Sequence, residues 1–193
     1  MKNLLQKIPR QFIVPLFILA GTFVGLGIYS IYMSRAFSYL SDKPDTCINC
    51  HIMTPYYASW AHSSHGHGVT TCNECHVPHE NIVRKYGFKA MDGLYHAAVF
   101  TVNAEPLAIR ARAGSSAVIM KNCIRCHTEI NQEMVALGFK DWKDVEKGNA
   151  KACWDCHRNI PHGTVSSIVS APSAQVPLPK SPAPQWLKKQ IKK

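Results

Sequence analysis

All eight cysteines of this 193-residue chain fall into one repeated pentapeptide, C-x-x-C-H, at Cys47 to His51, Cys72 to His76, Cys123 to His127 and Cys153 to His157. With eight Cys and ten His in the chain, chance would supply roughly 0.02 copies of that pattern. Two thiols three positions apart reach the two vinyl groups on one edge of a porphyrin, and the next His turns onto the iron. One short segment thus provides both covalent attachment and proximal ligation of a c-type heme. Zinc ribbons do not need a His after every second Cys, a thioredoxin-like pair would not occur four times, and disulfides make no demand for His. The expected cofactors are four covalent hemes, on Cys47 and Cys50, Cys72 and Cys75, Cys123 and Cys126, and Cys153 and Cys156.

This requirement dictates much of the fold. The first cysteines stand at 47, 72, 123 and 153, two close pairs parted by a longer stretch, which reads as two diheme modules. Four macrocycles in so short a chain supply much of the apolar interior themselves. The predicted architecture is mainly α with extensive irregular structure: short helices and loops wrapped around hemes close enough for electrons to hop along the row.

Residues 12–33 carry no charge over 22 positions, and as a helix they span about 33 Å, the thickness of a hydrocarbon core. A secretory signal has a shorter apolar run of about 7 to 15 residues and a small-residue cleavage site, which Ser34, Arg35 and Ala36 do not provide, so the segment reads as an uncleaved anchor. Lys2, Lys7 and Arg10 precede it and place the N terminus in the cytoplasm. The remainder is then on the outer side of that membrane. Pro15 is expected in the first helical turn, and Gly21 with Gly25 forms a G-x-x-x-G on one face.

The expected divisions are 1–11, a basic cytoplasmic end; 12–33, the anchor; 34–163, the heme domain; and 164–193, a Pro/Ala/Ser-rich basic tail, disordered or extended. The formal net charge of +10 is concentrated at the two ends, since 34–163 holds 14 basic and 12 acidic residues. That near-neutral body speaks against a nucleic-acid partner.

Beyond the motif histidines, His62, His65, His67, His79, His96 and His162 are candidates for the second axial positions. A side chain just past a motif is tethered to the proximal side of its own heme, so His162, five residues after His157, must serve a different one. By the same tether Met53 sits on the proximal side of the first heme, where its thioether could replace His51 or simply pack. Tyr56, Tyr57 and Trp60, just beyond the first motif, could line the membrane interface or a quinol pocket, and an aromatic belt at headgroup depth is a sufficient explanation for them.

Between the second and third motifs, the stretch from Asn81 to Val102 lacks proline and predicts a helix, with Glu80 near its positive end. Lys85, Lys89, Asp92 and His96 then share one face, with Val83, Tyr86, Ala90 and Leu94 opposite. On a protein fixed at the membrane, a carboxylate can take a quinol proton and a lysine can hold the quinone oxygen.

The anchor followed by four C-x-x-C-H motifs, the x-Met extension at Met53, the S-x-H ending at His65 and the C-H-x-x-x-P-H ending at His162 resemble the NapC/NirT family of membrane-bound tetraheme quinol dehydrogenases. The Met53 extension is similar to the branch that forms the small subunit of cytochrome c nitrite reductase. The resemblance implies Met53 on heme 1 with His51 as the alternative, His76 and His162 on heme 2, His127 and His65 on heme 3, and His157 on heme 4. The distal position of heme 4 stays open between His96 and a partner's residue. It further implies Lys85 and Asp92 in the quinol site beside heme 1, menaquinol as electron donor, and a periplasmic multiheme reductase, the catalytic subunit of nitrite reductase, as recipient. Alternatives are a passive tethered electron carrier, a donor to a nitrate or N-oxide reductase, and a terminal heme reductase in its own right.

Overall fold

The computed structural model describes residues 9–129, 142–163, 165, 167–178 and 180–191. Lys2 and Lys7 at the front, and Lys192 and Lys193 at the end, lie outside the described residues. The helices in chain order are α1 (Arg10–Met33), α2 (Thr54–Ala61), α3 (Cys72–His76), α4 (Ile82–Thr101), α5 (Ala113–Cys126), α6 (Trp142–Glu146), α7 (Cys153–Cys156) and α8 (Gln185–Ile191), with 3-10 turns at Ala36–Leu40, Pro44–Asn49, His51–Met53 and Ile168–Ser170. The chain is mainly helical, with no strand among the described residues. It forms two units, Met1–Tyr39 with Lys180–Lys193, and Leu40–Pro179.

In the first unit α1 is 24 residues long, about 36 Å. Its most apolar 18-residue window has a mean hydropathy of 2.1 and none of it is buried, so the apolar surface faces outward, as a lipid-facing helix requires. Pro9 precedes the helix in extended geometry, and α1 begins two residues before the uncharged run. Pro15 consequently lies deeper than the first turn expected for it, and the Gln11 carbonyl loses its usual donor. The helix ends where the Ser34 and Arg35 amides donate to the Ser30 and Tyr32 carbonyls and Arg35 turns to φ 54°, a left-handed residue of the kind that closes helices. Tyr32, in the last turn, donates its hydroxyl to the Pro182 carbonyl at 2.8 Å, shortly before α8.

In the second unit the protein core is small. Ile48, Tyr57 and Trp60 cluster with Ala61 and Val176, while Val77, Val118, Met120, Ser116, Asn122 and Ala152 are buried elsewhere. The pattern follows the motifs: Ile48 lies inside the first, Val77 follows the second, Asn122 precedes the third and Ala152 the fourth. Each attachment segment is thus pinned by a buried neighbour. The aromatic belt expected at Tyr56, Tyr57 and Trp60 is corrected here, because these side chains are only 8, 6 and 3% exposed and form core. Helical spacing turns Tyr57 and Trp60 inward against Ile48, and Tyr56 toward the Ile109 carbonyl and the His162 ring, where burying large rings is worth more than headgroup contact.

The composition of the tail excludes a core of its own, yet Val176 docks on the Ile48 cluster and α8 is helical. A single valine needs only a neighbouring core to bury itself.

Helix α4 starts one residue inside the expected boundary, because Asn81 caps it by accepting the Arg84 amide at 2.8 Å. It ends before Asn103, whose φ of 52° is left-handed, a conformation asparagine tolerates. Tyr86 does not stand opposite the lysines as expected. The Lys85 and Lys89 ammonium groups lie 6.0 and 5.7 Å from its ring centre, Lys89 because residues three apart on a helix are neighbours and Lys85 because both lysines converge on Asp42.

Candidate functional site

The attachment segments do not share one geometry. In motifs two to four both cysteines lie in helical turns, α3, the end of α5 and α7, with His127 and His157 at the C-caps of the last two. Motif one breaks this pattern. Cys47 sits in a 3-10 turn, Cys50 is extended at φ −96° and ψ 114°, and a second 3-10 turn carries both His51 and Met53. His51 is exposed and Met53 half-buried.

The side chains of Cys47 and Cys72 are neighbours, as are those of Cys123 and Cys153. First cysteines therefore meet in two pairs, motif one with two and motif three with four. The junction between motifs two and three is built differently. Asn122 donates from Nδ2 to the carbonyls of Cys75 at 3.0 Å and Val77 at 2.8 Å. Arg125, inside motif three, reaches Glu74, inside motif two, at 2.7 Å. In motif four Asp155 caps α7 by accepting the Ala152 amide at 2.8 Å, and Trp142 packs on Trp154 with ring centres 5.7 Å apart.

Two pairs of imidazoles face each other. His76 and His162 have ring centroids 6.2 Å apart, and His65 and His127 6.0 Å apart. A metal–imidazole bond of about 2.0–2.1 Å, plus roughly 1.1 Å from nitrogen to ring centre, separates two rings on opposite faces of one iron by about 6.2 Å. The residues present therefore fit bis-histidine heme.

In each pair one imidazole has its remaining ring nitrogen engaged. His162 Nδ1 is 3.1 Å from Ser59 Oγ, with the Tyr56 ring edge-on at 5.4 Å, and His65 Nδ1 is 3.2 Å from Ser64 Oγ. Such contacts fix ring orientation and leave Nε2 for a metal. Burial first, then the neighbouring His76, pulls His162 down to about 4, so it is a neutral imidazole, the form that ligates. The loop carrying His65 depends on Gly66, where an added Cβ would stand 2.7 Å from the Ala61 carbonyl oxygen and 2.8 Å from that of Trp60. Close by, the buried indole N–H of Trp60 and the hydroxyl of Thr71 have no protein partner among the described residues, and both are donors that suit a heme propionate.

Helix α4 carries two charged clusters. Lys85 and Lys89 both pair with Asp42, Lys85 in direct contact and Lys89 at 2.7 Å. Hydrogen bonds from Lys85 and then Lys89 bring the Asp42 carboxyl down to about 2. One helical turn on, Asp92 contacts Arg112 directly and His96 Nε2 at 3.2 Å. Burial pushes the Asp92 carboxyl up, but His96 and Arg112 together hold it below its usual range. Arg112 also stacks on Tyr95 at 3.9 Å. Lys89 lies within electrostatic range of Cys47, and Asp92 within range of His76. The lysine and aspartate expected in one site thus belong to adjoining clusters on the same helix, and His96 belongs with Asp92.

The model of the NapC/NirT cytochrome c family, N-terminal region, matches residues 9–167. The chain belongs to the NapC/NirT cytochrome c family. It is 37% identical over 151 residues to the cytochrome c-type protein NrfH of Wolinella succinogenes, covering 77% of this chain and 85% of that one. To the cytochrome c nitrite reductase subunit NrfH of Nitratidesulfovibrio vulgaris it is 34% identical over 128 residues, covering 66% and 72%. In three dimensions it resembles a chain in the crystal structure of the cytochrome c nitrite reductase NrfHA complex bound to the HQNO inhibitor, with TM-score 0.55 and 29% identity over 84% of this chain and 99% of that one. Membership of the NapC/NirT family, together with α1, makes the chain a membrane-anchored c-type cytochrome that carries covalent heme.

Sequence reasoning missed Asp42, Ser59, Arg112 and Asn122. No spacing rule reveals them, because each acts on a residue far away in the chain, as Asp42 does on Lys85. Only the place of Asn122, immediately before Cys123, hints at a role.

Proposed function

We propose that the chain is a quinol dehydrogenase of the inner membrane that oxidises menaquinol and passes electrons singly to a periplasmic reductase, the catalytic subunit of cytochrome c nitrite reductase. The observation that carries this reading is the placement of α4, whose Lys85 and Lys89 pair with Asp42, five residues before Cys47 and itself bonded at 2.9 Å by Asn73 inside motif two, with the Asp92 carboxylate farther along the same helix. Quinol oxidation needs a proton acceptor beside an electron acceptor, and α4 supplies the first next to the segments that attach the second. Likeness to NrfH of two organisms and to a chain of the NrfHA complex supports nitrite reductase as the recipient.

Four hemes c, when bound, supply the one-electron acceptors and the conducting row. Lys85 Nζ, steadied by Asp42, donates a hydrogen bond to the quinone oxygen. Asp92, ionised at neutral pH, accepts the hydroxyl proton at a carboxylate oxygen and releases it to water beside the exposed His96, whose Nε2 lies 3.2 Å away and orients the carboxylate.

In this reading His76 and His162 hold heme 2 and His127 and His65 hold heme 3. His157 is proximal to heme 4, and Met53 serves heme 1, its half-buried position against an exposed His51 supporting that choice. Residues 1–11 are cytoplasmic, 12–33 cross the bilayer and 34–163 form the periplasmic domain.

The test is Lys85→Leu and Asp92→Asn in proteoliposomes. Both variants keep four hemes by pyridine haemochromogen assay and are reduced normally by dithionite, but menaquinol reduces them at least tenfold more slowly. Unchanged menaquinol rates in both remove the site, and dithionite reduction with no menaquinol reduction in the unaltered protein makes the chain a passive carrier.

A further inference from the structure

The tail from Lys180 onward lies beyond the family match, which ends at residue 167, and none of its residues enters the heme or quinol chemistry. It groups with α1 in one unit, tied by the Tyr32 hydroxyl to the Pro182 carbonyl at 2.8 Å. Because Tyr32 is in the last turn of the membrane helix, Pro182 stands at the end of the hydrocarbon span. Helix α8 begins three residues later, within about 11 Å by chain reach. At seven residues it is itself only about 10 Å long, so it stays close to the polar layer, roughly 5–7 Å thick on each side of the bilayer.

Its side chains suit that depth. At about 100° per residue, Trp186 and Leu187 leave one side of α8, while Gln185, Lys188 and Lys189 leave the other. Trp186 is 67% exposed and both lysines are exposed, Lys188 reaching the Ser181 carbonyl only at 3.4 Å. Residues 164–193 contain no acidic side chain, so the charge has one sign. An indole prefers the boundary between headgroup and acyl chain, and lysines there attract anionic phospholipid.

We propose that α8 is an interfacial helix that binds anionic phospholipid headgroups beside α1, with Trp186 at the acyl boundary and Lys188 and Lys189 on lipid phosphates. Segment 40–179, which carries all four motifs, is then fixed to the bilayer at both of its ends.

The test is hydrogen exchange of the full-length holoprotein in nanodiscs of phosphatidylcholine alone and of phosphatidylcholine with phosphatidylglycerol. Each lysine near an anionic surface contributes roughly fivefold in binding, so the amides of 185–190 exchange up to about thirtyfold more slowly on the anionic bilayer. The difference disappears in the Lys188→Glu, Lys189→Glu double variant and shrinks at high salt. Equal exchange on the two bilayers overturns the proposal. So does slowing that appears only after the reductase is added, which would make the occupant an acidic protein.

Discussion

Replacing Asn122 by leucine removes two hydrogen bonds while nearly preserving side-chain volume, and so isolates the clamp between the second and third motifs. Asn122 is 5% exposed and Val77 6%, so water cannot take over the bond to the Val77 carbonyl, and the Cys75 carbonyl is half-buried. A net hydrogen bond is worth about 0.5–1.5 kcal/mol and a stranded buried carbonyl costs about 1–3 kcal/mol, giving roughly 2–4 kcal/mol for the pair. For a chain of this length the melting temperature falls by about 4–16 °C, read by far-UV circular dichroism on protein with unchanged heme content. Asn122→Asp sharpens the test, because only the protonated acid can donate. Its folded pKa is then raised, so its bond contributes below the unfolded value of about 3.9 and is lost as pH rises through the folded one. A melting temperature within about 2 °C of the unaltered protein for the leucine variant, at full heme loading, would show that both carbonyls find other partners and refute the clamp.

The Asp42 ion pairs predict an acid-limb effect. The folded carboxyl sits at about 2 against an ordinary 3.8, so its contribution is present above 3.8 and lost as pH falls toward 2. Thermal melts of Asp42→Asn and the unaltered protein should differ at pH about 5 and converge across that window; since the carboxylate is 42% exposed, the difference is about 1 kcal/mol or less. With His162 on heme 2 as proposed, Ser59→Ala removes the partner of His162 Nδ1, so that heme stays attached while its midpoint potential rises and its low-spin electron paramagnetic resonance signal shifts, a tenfold change in ferric preference being about 59 mV. An unmoved signal would separate Ser59 from that ligand.

The attachment chemistry and the anchor were legible in the sequence because each uses contiguous residues: a pentapeptide, and a run of uncharged side chains. Helix α4 was legible for the same reason, its ends shifting only to where Asn81 caps and Asn103 turns. The pairing of His76 with His162, by contrast, came from resemblance, since no local rule relates residues so far apart. Asp42, Arg112 and Asn122 act across 43, 20 and 45 residues respectively, where spacing carries no information. Tyr56, Tyr57 and Trp60 were misplaced because an aromatic run near a membrane reads alike whether it meets headgroups or packs into a core.

The facing of His76 by His162 has a bearing on biogenesis. A chain synthesised from its N terminus presents the second motif early, yet the imidazole opposite it follows the fourth. Translocation must therefore be almost complete before that site can close. A nascent chain stopped short of residue 162 leaves it open, which gives the maturation machinery a chemical mark by which an unfinished product differs from a finished one.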